Sequence, residues 1–349
     1  HCNPAVLCKQ LLNDGHLCYF FYVKSTSYTK MNLARSLKSS FITKTIKYGN
    51  INGNCTALLT QLRRKSAQAT AGSGAVDDGK NDAQQESTEE RTTHFGFQQV
   101  KESEKDKKVH KVFEEVASSY DLMNDVMSIG IHRLWKDIFM DRLGPLHGTR
   151  LLDMAGGTGD IAFRYIRQLQ AKKNTLKRHS YLTISDINQH MLDVGRERAR
   201  LQGLTEENLP DISIKWQQAD AENLPFENDA FNAYTIAFGI RNCTHIDKVL
   251  AEAYRVLEPG GRFMCLEFSH LTNNVMQWMY DKYSFQVIPP MGQVLAGQWK
   301  PYQYLVESIR QFPNQEDFQK MIEDAGFEMV YYENLTFGIV SIHSGFKLR

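Results

Sequence analysis

The sequence predicts an α/β fold with a mostly parallel, doubly wound sheet, and three observations predict it. First, the short apolar run Leu151-Leu152 stops at Asp153 and breaks into Gly156, Gly157 and Gly159 just before a helical pattern, which reads as a buried strand, a ligand-binding turn and a helix. Second, strand-like and helix-like segments alternate from residue 150 to residue 268, the pattern of parallel strands with helices on both faces. Third, the last two strand-like segments, Glu328–Phe337 and Ile339–Gly345, are separated by little more than Gly338. A linker that short permits only an antiparallel hairpin, placed at one edge of the sheet.

Length and composition set the frame for these elements. The 349 residues, 42% of them hydrophobic, are enough for one large domain or two with a full core. A net charge of +1 gives no electrostatic case for nucleic acid. No apolar run approaches the ~20 residues that span a bilayer, so any membrane contact is expected to be peripheral. Cys2, Cys8, Cys18 and Cys55 precede the body and only Cys243 and Cys265 fall within it. That is neither a disulfide framework nor a C-x-x-C metal pair, so no metal is expected and a reducing compartment is the default.

Between Gly15 and Val76 there is no Asp or Glu, while Arg35, Lys38, Lys44, Lys47, Arg63, Arg64 and Lys65 stand among many Ser and Thr. This is the composition of a mitochondrial transit peptide, and residues 1–65 are assigned to such a leader. A merely basic tail is the plainer reading, and Leu17–Val23 is too short and too poorly flanked for a secretory signal. The first methionine is Met31, which leaves residues 1–30 open to being an upstream artefact. Residues 66–93 contain no Leu, Ile, Met or aromatic side chain and form a linker that cannot bury enough to fold. Processing is expected near Arg63–Lys65 or in this linker, with the folded body over 94–349.

In the body, Val109, Val112, Phe113, Val116, Tyr120 and Met123 recur at three- and four-residue steps, predicting one amphipathic helix, and a second spans Ile131–Leu143. These helices either fold over the glycine turn as a lid or pack as core. Tyr120 and Asp121 are polar within an apolar pattern and are expected near a ligand. At the turn, Asp153, Gly157 and Gly159 are candidate cofactor contacts, because glycine after the strand-ending acid admits positive φ and lets a ligand approach the backbone. The helix starting near Asp160 adds free N–H groups. Gly157–Ala162 also fits G-x-G-x-x-A, so a nicotinamide or flavin enzyme stays open at this point.

Tyr181–Asp186 reads as the second strand. Its terminal acid, Asp186, suits the two hydroxyls of a ribose; the alternative is that it caps the helix Asn188–Leu201, a role Asn188 can fill instead. After the third strand, Ile214–Gln218, Asp220 can accept from an adenine amine with Ala221 beside the ring, or the stretch is a plain turn. Ala230–Ile240 is the fourth strand and leads into Phe238-Gly-Ile-Arg-Asn242. A helix over His245–Leu257, the break Glu258-Pro-Gly-Gly261 and a fifth strand, Arg262–Phe268, complete the alternation.

The order of these pieces resembles a class I S-adenosylmethionine-dependent methyltransferase, which a nicotinamide enzyme matches only in its first two features. Four motifs are closer still to the ubiquinone/menaquinone-biosynthesis C-methyltransferase family: Tyr120-Asp-Leu-Met-Asn-Asp, Asp153-Met-Ala-Gly-Gly-Thr-Gly-Asp160, Phe238-Gly-Ile-Arg-Asn242 and Arg310-Gln-Phe-Pro-Asn-Gln315. The resemblance covers about Thr93 to the C-terminus. It implies a Rossmann-like, mostly parallel seven-stranded sheet with a C-terminal antiparallel hairpin. It also implies S-adenosylmethionine as cofactor, held at Thr158, Asp186, Asp220 and Ala221. Bacterial members often have serine where this chain has Ala237, so only a backbone contact is expected there.

With the leader, the resemblance further implies C-methylation of the ring of a 2-methoxy-6-polyprenyl-1,4-benzoquinol in ubiquinone biosynthesis, at the matrix face of the mitochondrial inner membrane. Another quinol, such as a menaquinone precursor, or a mainly structural role in a quinone-biosynthetic complex are the alternatives. Expected partners are the polyprenyl benzoquinol, other ubiquinone-biosynthesis proteins, the membrane surface and a second copy of the chain. Ring carbon is a poor nucleophile until a phenolic proton leaves, and a phenol ionises only near pH ~10. Arg241 cannot itself act as a base, but a positive neighbour lowers an acid's pKa by roughly 1–3, with water taking the proton. Asn242 and Tyr120 are expected to orient that water or the substrate oxygens. A surface ion pair is the plainer reading of Arg241, and an exposed position in the first helical turn that of His245, otherwise a candidate base. Within an insertion over 270–313, Ser284–Trp299 carries no charge. It can line a prenyl channel, meet a membrane or second subunit, or pack as core.

Overall fold

The computed structural model describes residues 91–116, 124, 125, 128 and 130–349. The expected leader, nearly all of the linker, and Tyr120 and Asp121 lie outside the described residues. The described chain opens with a two-stranded antiparallel ribbon, β1 (Thr92–Phe95) and β2 (Gln98–Lys101), turning at Gly96-Phe97, and runs directly into helix α1 (Glu102–Val116). Helix α2 (Ile131–Leu143) has the predicted bounds and is closed by Gly144 in the left-handed conformation.

The sheet strands then follow in the predicted order. They are β3 (Arg150–Met154), β4 (Ser180–Asp186), β5 (Ile212–Gln218), β6 (Phe231–Ala237), β7 (Leu257–Phe268), β8 (Glu328–Leu335) and β9 (Val340–Phe346). The spatial order is β5-β4-β3-β6-β7-β9-β8; the first five pair in parallel, and β9 pairs antiparallel with both β7 and β8. The seven strands and the terminal hairpin are as expected. The chain builds outward from β3 to β5, returns, and builds from β6 in the other direction. The order therefore reverses between β3 and β6, where open α/β sheets bind ligands beyond the strands' carboxyl ends.

Both sheet faces are covered because both faces are apolar. Leu151 joins the layer made with α2, α3 (Asp160–Gln170) and α4 (Gln189–Leu201) through Phe139, Phe163, Ile166 and Leu192. Its neighbour Leu152 points the other way, to α5 (Ile246–Val256) and α9 (Gln315–Asp324) through Val249, Ala253 and Phe318. Met264 and Cys265 on β7 divide between the same two layers, the period-two alternation of a pleated strand.

Among the boundaries that differ from expectation, three have local reasons. The fourth strand ends at Ala237, not Ile240, since Phe238 takes φ 57° and Ile240–Asn242 form a 3-10 turn. The fifth strand begins at Leu257, not Arg262, with a register shift against β6 between Phe231 and Ala233. Asn188 is outside its helix: its side chain accepts from Met191 N–H at 3.3 Å as the N-cap. Between β7 and β8 the insertion folds as α6 (Asn274–Gln286), α7 (Ile288–Ala296) and α8 (Lys300–Gln311), with a small core of Ile288, Tyr302 and Val306.

Candidate active site

The carboxyl ends of β3, β4, β5 and β6 lie level along one edge of the sheet: Met154 is in register with Ser185 and Ile236, and Asp186 with Gln218. Each end carries residues singled out in the sequence. The turn after β3 starts with Ala155 at φ 53° and continues through Gly157 at φ 49° and Gly159 at φ 83°, a tight path that delivers α3 toward the crevice. Gly157 N–H donates to Asp186 Oδ2 at 3.0 Å, and Asn188 N–H donates to Oδ1 at 2.9 Å. Two adjacent strand ends are thereby tied through one carboxylate. Asn188 takes the capping role, so Asp186 is not the cap.

Burial raises the Asp186 carboxyl to a pKa of about 6, against the two amide donors that lower it. Asp153 lies deeper, 1% exposed. Thr235 Oγ1 donates to its Oδ1 at 2.8 Å, while Oδ2 has no hydrogen-bond partner. Burial pushes its pKa to about 7. Thr158 is also buried, and its Oγ1 accepts from Arg198 Nη1 at 2.6 Å, which fixes its hydroxyl. Asp220 is exposed and organises the turn beyond β5, its Oδ1 accepting from Glu222 N–H at 2.9 Å. Ala221 is buried beside it, and Ala237 is half-buried at the end of β6.

The motif after β6 closes on the glycine turn. A Cβ built on Gly239 would stand 2.4 Å from that of Ala155, so this contact between the two turns requires glycine. Arg241 follows, and it is buried at 6% exposure, contrary to the surface ion pair considered from the sequence. Its Nη1 donates to Phe238 O at 2.6 Å and to Glu267 Oε1 at 2.8 Å, and its guanidinium lies 5.5 Å from the centre of the Phe268 ring. The next residue, Asn242, accepts at Oδ1 from Tyr304 OH on α8 at 3.1 Å, leaving its NH2 group free of that bond. Burial lifts the Tyr304 phenol well above its ordinary range, so it remains a donor at neutral pH.

His245 is neither a free base nor freely exposed. Its Nδ1 lies 2.7 Å from Glu222 Oε2 and its Nε2 3.3 Å from Glu102 Oε1, and Glu222 Oε1 also accepts from the N–H groups of Thr244 and His245. Three elements converge there: the turn after β5, the start of α1 and the start of α5. Among the motif residues at the C-terminal side, Asn314 caps α9 and Gln315 Nε2 donates to His270 O and Asn334 Oδ1, a structural role.

This set of acceptors suits a nucleoside that carries a cationic amino acid. Asp186 offers a half-buried carboxylate for paired hydroxyls, Asp220 an exposed one nearer the next strand, and Asp153 a buried oxygen without a partner beneath the turn. No group of three or more His, Cys, Asp or Glu among the described residues could hold a metal ion.

Residues 101–347 match the ubiE/COQ5 methyltransferase family. The chain belongs to that family. It is 67% identical over 295 residues to the 2-methoxy-6-polyprenyl-1,4-benzoquinol methylase, mitochondrial, of Drosophila melanogaster, covering 84% of this chain and 98% of that protein. It is 55% identical over 282 residues to the protein of the same name in Homo sapiens, covering 73% and 84%. A solved SAM-dependent methyltransferase from Thermotoga maritima is similar at a TM-score of 0.47 and 18% identity, covering 68% of this chain and 99% of that one. As a ubiE/COQ5 methyltransferase, the chain has the class I fold and uses S-adenosylmethionine.

Two residues brought against the motif after β6 were not marked by the sequence. Glu267 looked like one more residue of a strand, and Tyr304 lies in an insertion with no motif of its own. No local signal marks either, because each reaches Arg241 or Asn242 only through tertiary contact. An ion pair, Lys136 on α2 with Asp160 at the start of α3, joins at 2.7 Å with the lysine 7% exposed, fastening α2 to the glycine turn.

Proposed function

We propose that this chain methylates a ring carbon of 2-methoxy-6-polyprenyl-1,4-benzoquinol, with S-adenosylmethionine as methyl donor, in ubiquinone biosynthesis. The observation that carries the reading is the 67% identity, over nearly the whole length of the fly protein, to an enzyme of that name. S-adenosylmethionine supplies an electrophilic methyl group. In this reading Asp186 receives its ribose hydroxyls, Asp153 faces its cationic end, and Asp220 with Ala221 meets the adenine. Thr158, Gly157, Gly159 and Ala237 shape the backbone that passes along it. Arg241 stabilises the quinol's phenolate and Asn242 donates to a substrate oxygen, its amide turned by Tyr304. Tyr120 is assigned beside them from its motif alone.

The relatives are named mitochondrial, and the acid-free leader over residues 1–65 supports import and processing ahead of a body over 94–349. No helix among the described residues is long and apolar enough to cross a membrane. On α6, Val275, Trp278 and Met279 are 60–68% exposed at three- and four-residue spacing, and Lys282 lies over the Trp278 ring. That face supports peripheral contact at the matrix side of the inner membrane, where a polyprenyl substrate resides. In the uncharged stretch, Ile288 is buried while Val294 and Trp299 are exposed, so it supplies both core and surface for the tail, the membrane, a second copy or other ubiquinone-biosynthesis proteins.

The full chain, labelled S-adenosylmethionine and a short-tailed 2-methoxy-6-prenyl-1,4-benzoquinol test the reading. Label bonded to ring carbon is the expected product. Label on oxygen, or turnover only with a menaquinone precursor, would contradict it.

A further inference from the structure

Glu267 sits one residue from the end of β7, 1% exposed, among the groups just assigned to the chemistry. One of its oxygens is fully used: Oε1 accepts from Arg241 Nη1 and from Phe268 N–H, each at 2.8 Å. The other, Oε2, is buried with no hydrogen-bond partner, as is Nε of Arg241. An anionic oxygen left bare in the interior is costly unless something arrives to share it. Cys265 and Tyr304 are titratable groups within electrostatic reach of Glu267, Cys243 lies within reach of both, and the buried Lys105 ammonium donates to Cys243 O at 2.9 Å. Burial raises the Glu267 pKa against the pull of Arg241, so protonation of this carboxyl is easier than for an exposed one.

Charge balance then decides between two destinations for the phenolic proton. If water carries it away, phenolate and Glu267 are both left as anions dependent on Arg241, the cation hydrogen-bonded to Glu267, while the nearby Lys105 ammonium is held by Cys243 O. Moving it to Glu267 leaves one anion and one cation, as before. We propose that Glu267 Oε2 accepts the phenolic proton of the substrate, releasing Arg241 to pair with the phenolate. This rests on the quinol reading above. The substrate O–H bond breaks, an O–H bond forms on Glu267, and the electron pair left behind delocalises to the ring carbon, which would bond the donor's methyl group as the sulfur–methyl bond breaks and its electron pair stays on sulfur, leaving a neutral thioether. That carbon afterwards loses its own hydrogen to solvent as a proton. Its electron pair restores the aromatic ring, Glu267 returns its proton to the oxygen, and one proton is released overall.

The test compares the full chain with its Glu267→Gln variant on two quinols: 2-methoxy-6-prenyl-1,4-benzoquinol and an analogue fluorinated at the ring carbon that is not methylated, whose phenol is more acidic. The amide keeps the acceptor for Arg241 but cannot take the proton. The proposal predicts a loss of roughly 100-fold or more on the ordinary quinol, the usual scale for removing a general base, and a loss below about tenfold on the fluorinated one. A second readout needs no turnover: without cofactor, the fluorinated quinol should show phenolate absorbance on binding the unaltered chain at a pH where the free phenol is neutral, and none on the variant. Equal losses on both quinols, or unchanged turnover, would overturn the proposal. Should the variant not fold, Glu267→Asp keeps the charge while withdrawing the carboxylate, and the same difference between quinols is read there. An unaltered chain that methylates neither quinol overturns the quinol reading and this inference together, whereas unaltered turnover with equal losses overturns the inference alone.

Discussion

Asp153 is a buried acid and Asp186 a half-buried one, with pKa values raised to about 7 and about 6, and both stand where a cationic cofactor is assigned. The sign of the pH effect follows from which form the ligand prefers. A cation favours the carboxylates and lowers their pKa in the complex, so below the free-protein values binding must expel protons. Affinity for S-adenosylmethionine is therefore expected to rise with pH through about 6 to about 7 and then level off. Calorimetry in two buffers of different ionisation enthalpy measures the proton release directly. Asp153→Asn should remove the upper part of that dependence; a flat profile in the unaltered chain would show that neither acid faces the cofactor. Stability of the free protein runs in the opposite sense. An acid whose folded pKa is raised opposes folding once pH exceeds its unfolded value, so without cofactor stability declines from about 4 upward until the folded pKa values are passed.

At the scale of elements, the turn after β5 and the start of α5 are joined by one carboxylate. Glu222 satisfies two backbone N–H groups at the opening of α5 and contacts His245 as well. Glu222→Ala leaves those groups without their acceptor and is expected to lower stability by about 1–3 kcal/mol, read as a fall in thermal midpoint. The ribbon β1–β2 is held similarly. Phe97 N–H donates to Glu307 Oε2 at 3.0 Å, Phe95 stacks on Tyr304 at 4.3 Å, and a Cβ on Gly96 would stand 2.2 Å from Glu307 Oε2. Gly96→Ala should loosen the ribbon and, through Tyr304, slow turnover more than it weakens cofactor binding; an equal effect on both would contradict that link. The sheet strands were legible because their apolar runs end at glycines and acids, and α2 because its apolar spacing is regular. The ribbon was not, since Thr92–Lys101 is largely polar and takes its partners from α8, more than 200 residues away. Arg241 was legible as a motif residue; its partner was not, because a buried carboxylate in a strand looks no different in sequence from one on the surface.

For the molecule as a whole, the reversal of strand order divides the crevice by task. The β3–β4–β5 side carries the carboxylates assigned to the cofactor, and the β6–β7 side carries Arg241, Asn242 and Glu267. The insertion α6–α8 joins the second side through Tyr304 and presents Val275, Trp278 and Met279 outward. Trp278→Ser is expected to reduce co-sedimentation of the chain with vesicles of anionic phospholipid while leaving turnover on a soluble short-tailed quinol intact. Unchanged co-sedimentation would remove that face from the membrane contact. The division itself is tested by one pair of variants, Asp186→Ala and Arg241→Ala, each followed by calorimetric affinity for S-adenosylmethionine and by turnover at saturating cofactor. The account predicts a crossed result: affinity falls by roughly 10-fold or more in Asp186→Ala, the scale of lost hydrogen bonds to a charged group, while Arg241→Ala binds normally and loses most of its turnover. Normal turnover in Arg241→Ala, or unchanged affinity in Asp186→Ala, would contradict it.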